Sequence, residues 1–422
     1  MTRVVITGVG VVAGNATTKQ EFCDALRNGK SAIKKHQWME DVGLNCQVGG
    51  MPELSKEKIL QYVNEEDLIA MNTVMVYGTV AGIDCWRDAG FTYDKDDRHA
   101  YDPDTSIILG CGVGGTETIL DKMAPRILDK KIQRVGSSYV EQSMHSNTVA
   151  KLTGLLGIGG KSTTVSSACT SGTEAIVDGY NYIKYGKTKR AIVGGVETGH
   201  PGNWGGFDAM RVINRKSNDN PEKASRPLSA SAAGFVPSCG AGILMLESLD
   251  SALTRGAKIY AEIIAGDVNS GGFRNGGSMT APSSIGVQNC IKSVVKEAGI
   301  NPKDITVING HLTATMADPL EVKNWSTALG LSPEEMPYIQ ATKSLIGHGL
   351  GAAGGFEGIA CALQIKHGFV HGNLNCEDVH PEIKPWEEKI LNQTKEMDVN
   401  IIAKSSFGFG DVNGCLIFKK YV

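Results

Sequence analysis

The sequence predicts an α/β protein in which helices cover buried β-sheets. Short apolar runs alternate along the chain with longer stretches that have the periodicity of amphipathic helices. Such alternation is typical of sheets whose strands are connected through helices. A loose internal symmetry supports this class, because each half contains a strand, a glycine-rich turn and a helix with small residues. No Pro/Ser-rich linker separates the halves, so we expect them to share one core.

The apolar runs place the strands, and the helical periodicity places the helices. The predicted strands include residues 3–7, 105–109, 162–165, 190–193, 241–247, 259–265, 305–309, 400–405 and 415–419. The predicted helices include residues 19–27, 66–89, 171–185, 284–298, 319–329 and 351–367. The charged stretches 94–99 and 375–396 are predicted as surface loops, because connecting segments run over the surface.

Composition excludes several classes of protein. The chain has 422 residues, 41% of them hydrophobic, a net charge of −3 and a pI of about 6.3. It lacks the basic field that nucleic-acid binding requires. Its 10 cysteines are scattered without a CxxC pair, which indicates a reducing compartment and no metal site. No apolar run approaches a membrane span and no signal peptide is recognisable, so we expect a cytoplasmic protein.

Cys169 is the first candidate catalytic residue. It follows the predicted strand 162–165 and precedes the predicted helix 171–185. Unpaired N–H groups and the positive end of the dipole at a helix start favour a thiolate over a thiol. A thiolate there can accept an acyl group from a thioester. The alternative is a structural cysteine, because free cysteines are among the most buried residue types.

Two histidines lie at similar junctions in the second half. His311 follows the predicted strand 305–309, and a helix is expected to begin near Pro319 with Asp318 as its N-cap. His348 lies on a glycine-rich turn before the predicted helix 351–367. One histidine beside such a turn is commonplace. A cysteine and two histidines in this order, each at a strand-to-turn junction, are not.

With these motifs, and with residues 405–414 near the end, the chain resembles the elongating Cys-His-His β-ketoacyl–acyl carrier protein synthases. These enzymes act in type II fatty acid and polyketide synthesis, and the resemblance runs nearly end to end. It implies the thiolase fold, with two similar halves in a five-layered α-β-α-β-α arrangement. Residues 1–253 would form the half with the nucleophile, and residues 254–422 the half with both histidines.

The resemblance implies a role for each central group. Cys169 would carry the acyl chain. His311 and His348 would hold the oxygen of the enolate that forms when a malonyl thioester loses its carboxylate. The backbone N–H groups of Cys169 and Phe409 would form the oxyanion hole, with Phe409 also at the gate of the site. The resulting reaction is a decarboxylative condensation catalysed by an acyltransferase.

Further residues match supporting positions of the family. Lys343, paired with Glu321, would set the electrostatics of the site, unless the two form an ordinary structural ion pair. Thr313 and Thr315 match threonines that contact the phosphopantetheine arm, although turn stabilisation would also explain them. Val113 matches the floor of the acyl pocket, with core packing as the alternative.

The implied partner is an acyl carrier protein, whose phosphopantetheine would carry the substrates without any other cofactor or metal. Arg211, Arg215 and Lys216 are candidates to contact this acidic protein, and a solvated charged loop remains the alternative. We expect no nucleic-acid partner and no membrane span. A homodimer is implied, with a heterodimer left open.

Several positions depart from the family pattern without affecting the three catalytic side chains. Leu312 and Ala314 replace two glycines after His311, Asp411 replaces a hinge glycine of the gating loop, and Cys239 replaces an acidic residue. We therefore expect altered specificity, as for a polyene, pigment or other polyketide-like lipid. Two alternatives remain open: the active member of a heterodimer with a chain-length subunit, and a thiolase-type coenzyme A acyltransferase. A thiolase would need a second cysteine as base, and the late Cys415 is predicted to be a core residue.

Overall fold

The computed structural model describes residues 1–97 and 101–422, so the predicted loop 94–99 lies partly outside the described residues. The described strands are β1 (Val4–Val12), β2 (Lys34–Lys35), β3 (Val48–Gly49), β4 (Thr105–Cys111), β5 (Ser162–Val165), β6 (Arg190–Glu197), β7 (Gly240–Ser248), β8 (Ala261–Ser270), β9 (Val307–Asn309), β10 (Tyr338–Gln340), β11 (Phe369–Val370), β12 (Lys395–Glu396), β13 (Ile401–Gly408) and β14 (Val412–Lys419). The described α-helices are α1 (Lys19–Asn28), α2 (Gln37–Asp41), α3 (Lys56–Ile59), α4 (Glu65–Ile69), α5 (Thr73–Asp88), α6 (Thr116–Thr118), α7 (Ala124–Leu128), α8 (Tyr139–Ser143), α9 (Asn147–Leu156), α10 (Ser171–Lys184), α11 (Pro201–Ala209), α12 (Leu249–Thr254), α13 (Ser284–Ala298), α14 (Asp318–Leu329), α15 (Lys343–Ile346) and α16 (Ala353–His367).

A ten-stranded sheet, in the order β10-β9-β13-β14-β8-β1-β7-β6-β4-β5, repeats one topology twice. In the first half β4 runs parallel to β5 and β6, whereas β7 runs antiparallel to β6 and β1. In the second half β9 runs parallel to β10 and β13, whereas β14 runs antiparallel to β13 and β8. When the five sheet strands of each half are numbered in chain order, their order from the sheet edge to the centre is third, second, fourth, fifth, first in both halves. The two similar halves expected from the sequence are confirmed.

Helices on both sides of the two half-sheets complete five layers. Helices α5 and α9 pack on the outer face of the first half-sheet, and α13 and α14 pack against each other outside the second. Helices α10 and α16 lie between the half-sheets and contact strands of both. Buried on every side, α16 is apolar around most of its circumference, as a central helix requires. The predicted α-β-α-β-α arrangement is therefore confirmed.

Glycines allow the two central helices to approach each other closely. A Cβ atom on Gly172 of α10 would lie 2.8 Å from the carbonyl oxygen of Gly351 and 3.3 Å from the Cα atom of Gly354. A Cβ atom on Gly354 would lie 2.2 Å from the backbone nitrogen of Thr173. Because larger residues would push the helices apart, these glycines hold the starts of α10 and α16 side by side.

The predicted strands are all present, but two other predictions were wrong. The helix predicted over residues 66–89 is divided into α4 and α5, because the Asn72 side chain accepts the N–H of Met75 and caps a new helix. The segment 375–396 is more than a surface loop, since Ile383 within it is fully buried in the core of the second half. None of the helices in the described part of the chain is long and apolar enough to cross a membrane.

Replacing the central aromatic residue of α16 should destabilise the fold strongly. Phe356 is 1% exposed and packs in the core between the half-sheets, so Phe356→Ala should lower the free energy of unfolding by about 3–5 kcal/mol. Denaturant unfolding followed by circular dichroism measures this loss. Leu253→Ala, at an exposed position of α12, is the control and should change stability by less than about 0.5 kcal/mol. Equal effects of the two substitutions would contradict the central position of α16.

Candidate active site

The Cys169 thiol lies in the turn between β5 and α10. One turn of 3₁₀-helix (Ala168–Thr170) presents it, and Ala168 adopts a left-handed conformation with φ 50°. The Ser171 hydroxyl stabilises this turn, because it donates to the carbonyl of Ala168 (2.6 Å) and accepts from the N–H of Ser167 (2.8 Å). This turn thus places the sulfur at the start of the central helix α10.

His348 occupies the corresponding position before α16 and contacts the sulfur directly. Its Nε2 atom lies 3.1 Å from the Sγ atom of Cys169. The N–H of Leu350 donates to the Nδ1 atom of His348 (3.3 Å), so Nδ1 is an acceptor. This hydrogen-bond network assigns the proton of the neutral ring to Nε2, which points it at the sulfur.

His311, after β9, completes the group. Its ring centroid lies 5.3 Å from that of His348, with the ring planes at 85°. Potential ligand atoms of Cys169, His311 and His348 all lie within 4.8 Å of one another, so the trio could also hold a metal ion. The structure brings together the three side chains that the sequence singled out, at the facing ends of both halves.

Burial sets the charge of these three groups. The pKa values of His311 and His348 are lowered well below 6.5, by burial and by the cation of Lys343, so both rings are neutral. Burial raises the pKa of Cys169 to about 12, although Lys343 and the backbone N–H groups of Phe409 and Cys169 lower it. The resting thiolate expected from the helix start was therefore wrong, because burial outweighs the favourable dipole.

The predicted pairing of Lys343 with Glu321 was also wrong. Lys343 forms a buried ion pair with Glu357 of α16. The carboxylate of Glu321 accepts the backbone N–H groups of His311 (2.7 Å) and Leu312 (2.9 Å). Glu321 therefore fixes the turn that carries His311, and burial raises its pKa to about 7.

Asp318 stabilises the turn after His311. It is the first residue of α14 rather than the predicted N-cap, and its carboxylate accepts the N–H groups of Thr313 (2.9 Å) and Ala314 (3.0 Å). Ala314 has φ 63°, a conformation that favours glycine. Leu312 fills the core of the second half. The turn thus retains a glycine-type backbone without its glycines.

A largely apolar cavity of about 340 Å³ leads to the three side chains. Phe207 and Phe235 form part of its wall, and the ring of Phe409 lies 6.2 Å from that of Phe207. Thr313 and Thr315 line another part, with their hydroxyl oxygens 3.0 Å apart. The cavity therefore combines an apolar wall with two hydroxyl groups.

Other predicted site residues lie around this cavity or outside it. Val113 does not line the cavity: its N–H donates to Glu197 (3.3 Å) and its side chain is partly exposed, so its role in an acyl pocket stays a prediction. Arg211 and Lys216 are exposed. Arg215 forms an ion pair with Asp208 (3.2 Å) and is less available to a partner.

Three residues that the sequence analysis discussed are buried: Asp411, Cys239 and Cys415. Asp411 has φ 59°, and its carboxylate accepts the N–H groups of Ser283 (2.7 Å) and Phe273 (2.9 Å). The loop between β13 and β14 is thereby attached to the loop that contains Phe273 and Ser283. Cys239 is buried, and Cys415 is fully buried in β14, as expected of a core residue.

Sequence reasoning missed three buried charged residues around the site. Glu197 accepts N–H groups from the turns after β4 and before α16, and burial raises its pKa to about 7. Glu357 and Lys404 belong to the ion-pair group that contains Lys343. A lysine within the apolar run 400–405 was the available signal, because lysines are almost never fully buried unless they are paired.

Comparisons with known proteins agree with this geometry. Residues 1–252 match the family model of the β-ketoacyl synthase N-terminal domain, and residues 260–377 match that of its C-terminal domain. The chain is 32% identical to 3-oxoacyl-[acyl-carrier-protein] synthase I, chloroplastic, of Arabidopsis thaliana, over 99% of the chain and 87% of the relative. It is 31% identical to 3-oxoacyl-[acyl-carrier-protein] synthase 1 of Escherichia coli K12, over 100% of the chain and 99% of the relative. The solved ishigamide ketosynthase/chain length factor is similar with a TM-score of 0.89 and 26% identity, covering 100% of both chains.

Both site histidines are expected to stay uncharged at about pH 6. Their pKa values are lowered in the folded protein, whereas in the unfolded chain they titrate near 6.5. The unfolded state then binds more protons, so the free energy of unfolding should fall as the pH drops below about 6.5. Nitrogen-15 NMR of the imidazole rings reports their charge directly. A charged His311 or His348 at that pH would contradict the electrostatics described above.

Proposed function

The chain belongs to the β-ketoacyl synthase family and is a condensing acyltransferase, and we propose that it condenses an acyl group held on Cys169 with malonyl–acyl carrier protein. The observation that carries this proposal is the 3.1 Å contact between the sulfur of Cys169 and Nε2 of His348. This contact lies beside His311, and all three residues line a largely apolar cavity. A thiol nucleophile and two neutral imidazoles suit chemistry that forms and uses an enolate.

In the first step Cys169 attacks the thioester carbonyl of the incoming acyl chain. The bond between the Cys169 sulfur and the carbonyl carbon forms, and the bond between that carbon and the pantetheine sulfur breaks. The proton lost by the Cys169 thiol is taken up by the departing pantetheine sulfur, so no net proton is consumed. The backbone N–H groups of Phe409 and Cys169 interact with the Cys169 sulfur. They therefore lie where donors can stabilise the oxyanion of the tetrahedral intermediate.

In the second step the malonyl thioester loses carbon dioxide, and the electrons of the broken bond form a thioester enolate. A neutral imidazole keeps one N–H group, which can donate a hydrogen bond to the enolate oxygen. The proton assigned to Nε2 of His348 points into the reaction space, and His311 lies beside it. The enolate carbon then attacks the acyl carbonyl on Cys169, and collapse of this second tetrahedral intermediate expels the cysteine sulfur as a thiolate. This thiolate takes up one proton from solvent, which restores the thiol.

Carrier proteins deliver both substrates in this proposal, and no further cofactor takes part. Thr313 and Thr315 line the cavity, so their hydroxyls can contact the amides of a phosphopantetheine arm. Arg211 lies between two cavity-lining residues, Met210 and Val212, and is exposed. It is therefore well placed to meet an acidic carrier protein at the opening, with Lys216 close by in sequence.

The departures from the family pattern support a specialised acyl substrate. Asp411 attaches the gating loop to residues 271–283, of which Thr280 and Pro282 line the cavity. A gate attached in this way would accept a narrower set of chains than one with a glycine hinge. We therefore favour a polyketide- or polyene-type lipid pathway over bulk fatty acid elongation.

A paired subunit is the second part of the proposal. Several apolar side chains in one segment are exposed: Ile119, Leu120, Ile127, Leu128, Ile132, Val140 and Met144. Exposed apolar side chains clustered in one region indicate an interaction surface. A second copy of this chain is the partner we favour. A chain-length subunit remains the alternative, because the similar ishigamide protein is described as a ketosynthase/chain length factor.

Intact-protein mass spectrometry tests the condensing function. Incubation with a panel of acyl-carrier proteins should add the acyl mass at Cys169, and malonyl-carrier protein should then release carbon dioxide and free the enzyme. Cys169→Ser should abolish loading and condensation, whereas Cys23→Ser, a buried cysteine of α1, should load normally. Condensation by the Cys169→Ser variant would eliminate the nucleophile assignment. Exclusive loading from coenzyme A thioesters, without use of malonyl-carrier protein, would favour a thiolase-type activity.

The carrier-protein contact gives a separate prediction. Arg211→Ala should raise the KM for acyl carrier protein about two- to fivefold, the range expected of an exposed charge pair. The difference should shrink at about 0.5 M salt, where charges are screened within a few ångströms. Lys187→Ala, at an exposed position away from the cavity lining, is the control. An unchanged KM for the Arg211 variant at low salt would refute the contact.

A further inference from the structure

Lys404 of β13 is a fully buried lysine that joins three elements of the site. Its Nζ atom lies 3.0 Å from Oε2 of Glu357 on α16. It also donates to the hydroxyl of Ser406 (2.5 Å) and to the hydroxyl of Thr173 on α10. The two hydroxyls accept hydrogen bonds and Glu357 adds an ion contact without a hydrogen bond, so the buried ammonium group has three polar partners.

The ion-pair group around Glu357 contains more positive than negative charge. Lys343 occupies one carboxylate oxygen, Oε1, and Lys404 faces the other, Oε2. All three side chains are at most 1% exposed. Two cations around one carboxylate leave one net positive charge. With a single lysine the group would be neutral, and the cation of Lys343 would be largely compensated.

We propose that Lys404 is a positioning residue: by neutralising the far oxygen of Glu357, it leaves the positive charge of Lys343 uncompensated at Cys169 and the two histidines. This role deepens the proposed condensing function and rests on it. An uncompensated cation behind the site favours each anionic state of the reaction, namely the thiolate, the oxyanions and the enolate. It also keeps the imidazoles neutral.

The charges that act on the site agree with this role. Lys343 is the strongest of the groups that lower the pKa of Cys169, and it also lowers the pKa values of both histidines. Burial lowers the pKa of Lys404, and the carboxylate of Glu357 opposes this effect. The titratable groups that interact with Lys404 or with Cys169 are Glu357, Lys343, Cys361, Cys415, His311, His348 and Glu197.

The rate at which iodoacetamide alkylates Cys169 tests the charge count. Lys404→Met reduces the net charge of the group from +1 to 0, Glu357→Gln raises it to +2, and the double variant returns it to +1. Far below the pKa of a thiol, the thiolate fraction changes about tenfold for each unit of pKa shift, but the nucleophilicity of the thiolate changes in the opposite direction, so the alkylation rate changes about three- to fourfold. At about pH 8.5, we therefore expect Lys404→Met to react about three- to fourfold more slowly and Glu357→Gln about three- to fourfold faster, for a shift of about one pKa unit. The double variant should lie within about 1.5-fold of the native protein.

The rates are read from intact mass, with Lys187→Met as an exposed control that removes the same charge and should leave the rate unchanged. If Lys404 only holds α10 and β13 together, Lys404→Met should lower the melting temperature without producing this order of alkylation rates. Rates that change in the same direction in both single variants, or stay unchanged, would overturn the proposal. Should Lys404→Met not fold, a Glu357→Gln protein that reacts no faster than the native one would overturn it alone.

The outcome separates this inference from the proposed function. Alkylation needs neither an acyl substrate nor a carrier protein. Normal acyl loading and condensation without the predicted order of rates would refute the role of Lys404 alone. The predicted order in a protein that cannot be acylated would refute the condensing function and, with it, the catalytic purpose of the charge.

Discussion

The close packing of α10 against α16 is the constraint on which the site depends. Each helix starts at the centre of the molecule, and each is preceded by a turn that carries one side chain of the candidate site. Gly172 and Gly354 remove the side chains that would separate the two helix starts. The sulfur of Cys169 and the ring of His348, 179 residues apart in sequence, can therefore make a direct hydrogen bond. The duplicated topology supplies the geometry, because the same strand-turn-helix unit carries Cys169 in one half and His348 in the other.

Burial then determines what the site can do. In a water-poor environment an isolated thiolate and an imidazolium are both costly, so the resting groups are a thiol and two neutral rings. Since none of these three side chains is charged at rest, the electrostatics of the site depend on the buried charged residues around it. The buried ion pair of Lys343 with Glu357 is therefore more than a structural link. Together with Lys404, this ion pair carries a net positive charge. That charge determines how easily negative charge can develop at Cys169 and the two histidines.

Local sequence predicted the positions of the three candidate catalytic residues but not their charged partners. Cys169, His311 and His348 could be found because each follows a strand and lies on a recognisable turn. The partner of Lys343 could not, since Glu321 and Glu357 are both buried glutamates near the site and only the packing of α16 decides between them. The prediction of a thiolate at Cys169 was wrong for a similar reason. The helix-dipole argument uses local structure, whereas the desolvation of the thiol depends on the whole fold.

The positions without their usual glycines show how the chain keeps the geometry by other means. Ala314 and Asp411 both adopt left-handed backbones, at φ 63° and 59°, which costs a residue with a side chain about 1–2 kcal/mol. In each case a buried carboxylate offsets the strain: Asp318 accepts the N–H groups of the turn after His311, and Asp411 accepts those of Ser283 and Phe273. A turn held by charged hydrogen bonds is stiffer than one that relies on the freedom of glycine. Both turns contact the cavity, and neither carries Cys169, His311 or His348. The substitutions should therefore change which acyl chains can enter the cavity, and the proposed condensation itself should be unaffected.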